Sequence, residues 1–328
     1  TDSMLTLTAF YPILAPYTSE GWAIDPVAPH GDAAFADAAD YDVTLLVPQG
    51  VTVIPVPNSV DDAGDGRVRC TFAKTGLRDF PLVLIDGSLT PRSATASGVT
   101  IRAWYPLRHE QASLITLDRS VASVDVYSAL FGPLPFACVD IVEAPLQRVA
   151  GVECSGLFLV AADYAASPRD PFFDIIVSHE MAHQWFYAAV GNDPTEEPWL
   201  DESLATFASN VFLSLAVSDD VARAERAQWA TAYQQALLSA PDLRVASPLY
   251  AFPDSGTYSA FAYSGGAHEL DALRQALGDD AFFRGLADYY QGGLGRIAVG
   301  SDLERSFRDA CGCWPTSPLF DSTRAPSL

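Results

Sequence analysis

The sequence predicts an α+β protein in which an N-terminal antiparallel β-sheet or sandwich domain precedes a mainly helical domain. Between residues 42 and 105, short apolar runs alternate with turn-rich pieces at a spacing of roughly ten residues, which is typical of antiparallel strands. After Trp104 the apolar positions follow helical spacing, and most of the chain beyond Pro171 is expected to be helical. We therefore predict two domains, residues 1–106 and residues 107–328.

The N-terminal domain is predicted from five apolar runs that are separated by turn sequences. One such turn is D-D-A-G-D-G at residues 61–66, where glycine and aspartate favour a change of chain direction. Residues 10–23 are rich in proline and aromatic side chains and are expected to be irregular. The candidate strands span residues 43–47, 51–56, 68–72, 82–85 and 99–105.

The second domain is predicted to begin with an amphipathic helix at residues 120–131, followed by an apolar strand at residues 138–142. Asp170 before Pro171 is a typical helix start, because aspartate accepts a hydrogen bond from the first turn and proline fits there. We expect this helix to end near Gly191, since glycine is common just after a helix.

The chain has 41 acidic and 19 basic residues and a net charge of −22. Because nucleic acids and anionic membrane surfaces repel such a chain, neither is expected as a partner. No apolar run reaches about 18 residues, so we expect a soluble protein without membrane insertion. The first residues lack a signal-peptide pattern, but Thr1 in place of an initiator Met leaves an earlier signal open. The compartment and oligomeric state stay open, with an extracellular location slightly favoured over a cytoplasmic one.

The cysteines are too few and too scattered for a disulfide scaffold in a chain of 328 residues. Residues 311–313, C-G-C, lack the two-residue gap and the second pair of a zinc ribbon, so no structural zinc is expected there. Each cysteine is expected to be a buried free thiol. The five are Cys70, Cys138, Cys154, Cys311 and Cys313.

An apolar segment, V-S-H-E-M-A-H-Q-W-F at residues 177–186, contains two of the five histidines. His179 and His183 are four residues apart, so on a helix they share one face and can bind one metal ion. Glu180 lies on the adjacent flank, as in the H-E-x-x-H pattern of zinc peptidases. The pattern predicts a zinc site, and the alternative is two histidines whose hydrogen bonds are satisfied in the core.

A hydrolytic zinc site needs a third protein ligand and an open position for water. Glu202 follows His183 after eighteen intervening residues, in the segment W-L-D-E at residues 199–202 that begins a second predicted helix. If that helix packs on the first one, Glu202 supplies the third ligand. The alternative is a solvated helix glutamate. Asp201 beside it either orients a ligand, caps the helix or occupies a surface position.

These two segments resemble the gluzincin metallopeptidases, and specifically the aminopeptidase N family, in which H-E-x-x-H is followed by eighteen residues and a glutamate. Residues 151–157, G-V-E-C-S-G-L, resemble the exopeptidase strand motif, which one bacterial branch writes as G-G-M-E-Y-P-G-L. Residues 263–267, Y-S-G-G-A, resemble the catalytic Tyr-x-x-Gly-Ala segment. The motifs stand in family order, and the resemblance covers residues 133–308 well. It implies a thermolysin-like catalytic domain in a short or truncated member of the family.

The sequence departs from the family pattern at four positions close to these motifs. None of them removes a ligand or a reacting group, but Cys154, with Ser155 beside it, is expected to reshape the first specificity pocket. The sheet domain is also shorter than usual, and no counterpart of the large C-terminal helical domain is recognised, which leaves substrate length open. The four positions are Val152, Cys154, Ser203 and Gly265.

One Zn²⁺ per chain is expected, held by the two histidines and Glu202. A zinc ion with these ligands polarises a peptide carbonyl and lowers the pKa of water, so Glu180 one residue from a ligand is the expected general base. The resemblance implies that Tyr263 donates a hydrogen bond to the oxyanion of the transition state. Tyr258 is the alternative for that role.

Glu153 is the residue that separates an exopeptidase from an endopeptidase, because a carboxylate beside the cleft can pair with the free ammonium of a peptide. The resemblance implies that the backbone of Gly151 and Val152 hydrogen-bonds the substrate as an added strand. The predicted function is a zinc aminopeptidase acting on peptides with a free N-terminus. The alternatives are a zinc endopeptidase or other zinc hydrolase, and a peptide-binding scaffold without turnover.

Overall fold

The computed structural model describes residues 4–18, 21–24, 29–32, 35–87 and 89–320. Strands dominate the first half and helices the second, so the predicted α+β class is confirmed. The strands are β1 (Met4–Leu7), β2 (Tyr17–Thr18), β3 (Gly21–Trp22), β4 (Ala39–Pro48), β5 (Val51–Ile54), β6 (Ser59–Gly64), β7 (Arg67–Leu77), β8 (Leu82–Asp86), β9 (Arg92–Ala96), β10 (Val99–Trp104), β11 (Cys138–Ala144), β12 (Gly151–Cys154) and β13 (Leu157–Ala161). The α-helices are α1 (Glu110–Leu130), α2 (Ala162–Ala165), α3 (Pro171–Ala182), α4 (Trp199–Phe212), α5 (Asp219–Ser239), α6 (Ser255–Tyr258), α7 (Gly266–Leu277), α8 (Asp279–Gly293) and α9 (Gly300–Cys311).

Two antiparallel sheets of three strands each form the N-terminal part, together with the β2–β3 hairpin. Their strand orders are β4-β7-β6 and β1-β8-β5. Along β4, half-buried or buried residues alternate with exposed ones from Tyr41 to Pro48, as expected for a strand with one face on a core. Phe72 and Phe80 pack with Val53 and Leu82 in a core that both sheets share. The predicted antiparallel sheet or sandwich is therefore confirmed.

A third sheet has five strands in the order β12-β13-β11-β10-β9. Its three inner strands are parallel, and β9 and β12 are antiparallel edges. Residues 99–105 were predicted to belong to the N-terminal sheet, but β10 lies in this one, beside β11. The reason is the helix α1, which returns the chain so that β10 and β11 can pair in parallel. The sheet thus spans residue 106, where a domain boundary is predicted.

The helices α3 and α4 pack against each other, and α1 packs on both. Every residue of α4 is buried, which is typical of a helix in the middle of a core. Trp185 and Trp199 are among the largest fully buried side chains of the protein. The two central helices therefore form a closely packed support, on which side chains have little freedom to move.

Helix α3 starts where the sequence predicts, with the Asp170 side chain accepting a hydrogen bond from the backbone N–H of Phe172. It ends at Ala182 and does not continue to Gly191, so His183 is its C-terminal cap and not a mid-helix residue. Beyond the cap, the chain turns into an irregular buried segment, in which the carbonyl oxygen of Phe186 faces the His183 ring. Local sequence does not show this turn because it depends on burial of the following aromatic residues.

The prediction of five free, buried thiols is wrong for two cysteines. Cys311 and Cys313 form a disulfide, because Gly312 adopts a left-handed conformation at the end of α9 and brings their Cα atoms to 5.2 Å. Cys70 and Cys154 are buried free thiols, and Cys138 is a half-buried one. Among the described residues, no helix is long and apolar enough to cross a membrane.

Candidate metal centre and substrate cleft

The packing of α3 on α4 brings His179, His183 and Glu202 together, and we call these three residues the metal triad. The two Nε2 atoms are 3.0 Å apart. Oε2 of Glu202 lies 3.3 Å from Nε2 of His179 and 3.4 Å from Nε2 of His183. Among the described residues, these three form the group of His, Cys, Asp or Glu side chains whose ligand atoms are close enough together to bind one metal ion.

The distances within the metal triad fit a tetrahedral zinc ion. Donor atoms bound at about 2.0–2.1 Å to such an ion lie about 3.3 Å from one another, which matches the three separations. Oε2 of Glu202 is buried and makes no hydrogen bond to any described residue, although its burial would otherwise be costly. A cation at the centre of the triad satisfies this oxygen and both Nε2 atoms.

Groups outside the metal triad hold its ligands in orientation through hydrogen bonds. The carbonyl oxygen of Phe186 lies 3.0 Å from Nδ1 of His183, so Nδ1 carries the proton and Nε2 is left as the metal donor. Asp201 is buried, and its Oδ1 accepts hydrogen bonds from Asn192 at 3.0 Å and from the backbone N–H of Glu202 at 3.0 Å. Asp201 therefore orients the start of α4 and is not a surface residue.

Burial and charge act in opposite directions on the metal triad. Burial raises the pKa of Glu202, but the two histidines that face its carboxylate lower the pKa more strongly, so the net pKa is lowered and the carboxylate stays ionised. Burial lowers the pKa of His179, which favours the neutral imidazole that a metal ligand needs. At His183, burial lowers the pKa, but the negative charges of Glu153 and Glu202 raise it well above its usual range.

Glu180 lies beside the metal triad, between α3 and the edge strand β12. It is 6% exposed, and its Oε2 has no hydrogen-bond partner among the described residues. Burial, aided by the charge of Glu202, raises its pKa to about 8 despite the opposing charge of His183. A Cβ atom on Gly151 would lie 2.2 Å from Oε1 of Glu180. Glycine at this position is therefore what allows β12 to approach the carboxylate.

Tyr263 lies within the metal centre, and its hydroxyl donates a hydrogen bond to Oε1 of Glu202. Its ring stacks on that of His179, with centroids 5.8 Å apart and planes at 14°. Burial raises the pKa of Tyr263 well above its usual range, so the phenol keeps its proton as a donor. Tyr258 packs edge-on against Tyr263 at a centroid distance of 5.6 Å, one ring further from the triad.

Ser203, which departs from the family pattern, makes a contact that the sequence alone does not reveal. Its Oγ donates a 2.6 Å hydrogen bond to the carbonyl oxygen of Ala262, the residue before Tyr263. A Cβ atom on Gly266 would lie 1.6 Å from this Oγ, so the hydroxyl occupies the space that a side chain there would need. Ser203 and Gly266 thereby connect the start of α4 to the π-helical segment Ser259–Gly265 that carries Tyr263.

Glu153 lies on β12, the edge strand of the five-stranded sheet, and is half-buried. Its pKa is raised well above the usual range by burial and by the negative charge of Asp32, with Glu180 and Glu202 adding to the shift. Gly151 and Glu153 are two residues apart on β12 and share one face of the strand, and a Cβ atom on Gly151 would point at Glu180. Glu153 therefore faces the same side as Glu180, next to the metal triad. Since β12 is an edge, the outward-pointing backbone groups of Gly151 are available to an added strand, whereas those of Val152 face Leu159 of β13.

Asp32 is a member of the cleft that the sequence did not reveal. Burial raises its pKa well above the usual range, and the negative charges of Glu202 and Asp201 raise it further. The segment at residues 29–32 is held by the His30 ring, 5.9 Å from that of Tyr258, and by Gly31 against the side chain of Leu249. Asp32 stands in a loop without periodicity, so only the tertiary structure could show its proximity.

Two packed helices that carry H-E-x-x-H and a second glutamate, beside an edge strand, are the arrangement of the zinc-dependent metallopeptidases. The Peptidase family M1 domain matches residues 118–315, and the chain belongs to this family. The resemblance to the aminopeptidase N family that the sequence motifs indicate is therefore confirmed.

Three relatives illustrate the similarity. Over 190 residues the chain is 28% identical to the puromycin-sensitive aminopeptidase of Caenorhabditis elegans, covering 53% of this chain and 20% of that protein. It is 26% identical to endoplasmic reticulum aminopeptidase 1 of Mus musculus over 277 residues, 80% of this chain and 29% of that protein. It is 25% identical to an aminopeptidase N of Lactococcus lactis subsp. cremoris over 260 residues, 72% and 29% respectively. The chain thus spans between a fifth and a third of the length of these relatives.

Solved structures of an M1 zinc metallopeptidase from Deinococcus radiodurans share the fold. One has a TM-score of 0.64 at 24% identity and covers 84% of this chain and 62% of that chain. A second, bound to a Tyr-Ser-Ala substrate, has the same TM-score and covers 89% of this chain and 65% of that chain. At this identity the likeness shows the fold, and it agrees with the predicted β domain followed by a helical catalytic domain.

Proposed function

We propose that this chain is a zinc-dependent aminopeptidase that hydrolyses the N-terminal peptide bond of peptides. The observation that carries the proposal is the position of Glu153 on the edge strand β12, on the same strand face as Gly151, whose Cβ position points at Glu180. Among the described residues, no cationic side chain forms an ion pair with Glu153. A substrate ammonium would supply the positive charge that this buried carboxyl lacks. Pairing with the ammonium would favour the ionised form of Glu153 and place the first peptide bond over the metal triad.

The metal triad is proposed to hold one zinc ion per chain, because the two helices supply three ligands and leave a position open. When bound, zinc polarises the scissile carbonyl and lowers the pKa of water. Glu180 is proposed to accept the proton of the attacking water and to pass it to the leaving amine. The Tyr263 hydroxyl is proposed to donate a hydrogen bond to the oxyanion, with Tyr258 supporting its ring.

The substrate is proposed to bind as an extended strand along β12, with contacts from the outward-facing backbone groups around Gly151 and Val152. The names of the relatives, all aminopeptidases, and the Tyr-Ser-Ala substrate of the Deinococcus structure support a peptide with a free N-terminus. The net charge of −22 favours neutral or cationic peptides and disfavours nucleic acid. An extracellular location remains a prediction.

The test compares aminoacyl reporter substrates with the same substrates acetylated at the amine. Acetylation removes the positive charge and adds bulk where Glu153 closes the cleft, so wild type should reject the blocked substrates. Breaking a partly desolvated charge pair costs about 2–5 kcal/mol. We therefore expect Glu153→Ala and the isosteric Glu153→Gln to lose most activity on free amines and much of the discrimination, with unchanged zinc content.

Glu143→Gln is the matched control, because Glu143 is a buried glutamate of the same sheet whose partners are His109 and Arg108. It should leave the preference for free amines unchanged. Rapid cleavage of blocked peptides by wild type at internal bonds would support the endopeptidase alternative. Zinc binding and peptide binding without turnover would support the scaffold alternative.

A further inference from the structure

The hairpin turn at residues 154–156 follows Glu153 directly, and side chains from other parts of the chain hydrogen-bond three of its backbone groups. Gln184 donates a 2.9 Å hydrogen bond to the carbonyl oxygen of Cys154 and accepts a 2.8 Å bond from the N–H of Gly156. Asp79 accepts a 2.6 Å hydrogen bond from the N–H of Ser155. The turn is therefore held from two sides, by the end of α3 and by the N-terminal domain.

The contact with the N-terminal domain is reciprocal. Oγ of Ser155 accepts hydrogen bonds from the backbone N–H of Arg78 at 3.0 Å and from that of Asp79 at 3.4 Å. All three residues are buried, with exposures of 3% to 4%. In such surroundings a lost partner leaves an unsatisfied polar group, so the contacts define one arrangement of the turn.

The Arg78 side chain fixes the same loop to other parts of the site. Its guanidinium donates hydrogen bonds to the carbonyl oxygens of Tyr187 at 2.8 Å, Ala36 at 2.8 Å and Arg296 at 3.1 Å. Tyr187 lies in the irregular segment after His183, and Ala36 lies shortly after Asp32. Gly191 permits this approach, because a Cβ atom there would lie 2.2 Å from the guanidinium carbon.

We propose that Asp79 and Gln184 are positioning residues for substrate recognition. Their hydrogen bonds to the 154–156 turn hold Glu153 at the position where it meets the substrate amine. The loop between β12 and β13 has two residues, Ser155 and Gly156, and a two-residue loop sets the register of its hairpin. A slip by one residue would turn every side chain of the strand to the opposite face. Gln184 directly follows the metal ligand His183. The hydrogen bonds of Asp79 and Gln184 therefore set the distance between Glu153 and the metal triad. That distance decides which peptide bond is hydrolysed. This inference rests on the proposed aminopeptidase function.

The experiment measures kcat/KM for a free-amine reporter and its acetylated counterpart with the same preparation of each zinc-loaded variant. The ratio of the two values does not depend on the folded fraction. A misplacement of about 1 Å can cost about a hundredfold in rate, so Asp79→Ala should lower the ratio by about ten- to a hundredfold. The loss should appear mainly as a raised KM for the free amine. Asp79→Asn, which still accepts a hydrogen bond from Ser155, should keep most of the wild-type ratio.

Two further comparisons separate positioning from general destabilisation. Glu225→Ala removes a carboxylate of similar burial, which accepts a hydrogen bond from Asn210 in the helical core. This variant should leave the ratio unchanged. In a Glu153→Ala background, adding Asp79→Ala should lower the ratio little further, because the proposed effect acts through Glu153. Gln184→Ala removes the hydrogen bonds on the opposite side of the turn and should lower the ratio in the same way. This variant still tests the proposal if Asp79→Ala does not fold.

The outcomes distinguish the inference from the proposed function. If wild type cleaves both substrates equally, the aminopeptidase function fails. If wild type prefers free amines and both Asp79→Ala and Gln184→Ala keep that preference, only the positioning role fails. Equal losses on both substrates would likewise reduce Asp79 and Gln184 to structural residues.

Discussion

The metal triad and β12, the proposed substrate-binding strand, lie next to each other. The residues of the triad are close together in the sequence, whereas the proposed recognition residues are far apart. The triad lies between residues 179 and 202, on two helices in direct contact. Recognition of the substrate is assigned to Glu153, with Asp32 at the same cleft and Asp79 behind the turn. The metal triad is thus a local structure, whereas the proposed recognition side depends on the N-terminal domain.

This difference has a measurable consequence. A change at the metal centre should slow the chemical step for every substrate, because all substrates share the same water and carbonyl chemistry. A change on the recognition side should alter the preference for free amines and leave the metal in place. Rate and preference can therefore be tested separately, and the following substitutions do so at the metal centre.

The largest effect is expected for Glu180→Gln. The amide cannot accept the proton of water, so kcat should fall by about two to four powers of ten while zinc content stays at the wild-type level. His183→Ala is the contrasting variant, because it removes a ligand and should lower metal affinity itself. Metal analysis and steady-state kinetics on both proteins check this. Turnover close to wild type in Glu180→Gln would assign the general base to another residue.

A smaller loss is expected for Tyr263→Phe. Removal of an oxyanion donor should lower kcat by about two to three powers of ten with a smaller change in KM. Tyr258→Phe is the matched control, since its ring packs on Tyr263 and its hydroxyl is not expected to reach the oxyanion. If Tyr258→Phe shows the loss instead, the roles of the two tyrosines are reversed.

The smallest effect is expected for Ser203→Ala, which removes the hydrogen bond to the carbonyl oxygen of Ala262. Such a bond contributes about 1 kcal/mol, and we expect about a fivefold fall in kcat with the preference for free amines unchanged. Gly266→Ala should be more harmful because its Cβ meets the Ser203 hydroxyl, and Ser203→Gly should rescue it. Additive losses in the double variant would show that the two positions do not act together.

The sequence predicted much of the centre because helical spacing is a local property. Two histidines four residues apart share a helix face wherever the helix lies, and the structure places His179, His183 and Glu202 within ligand distance. Glu180 and Tyr263 also lie at this centre. The roles of these residues and of Glu153 stay predictions until the substitutions are measured.

By itself, then, the sequence determined the α+β class, the start of α3 and the residues of the metal triad, since each follows from periodicity, capping or spacing. Only the tertiary structure decided that β10 joins the five-stranded sheet and that α3 ends at Ala182. It also decided that Asp32 lies near the metal triad and that Asp79 binds the turn after Glu153. These features depend on contacts between residues far apart in the chain. A local pattern carries no information about such contacts, because they form only when the whole core packs.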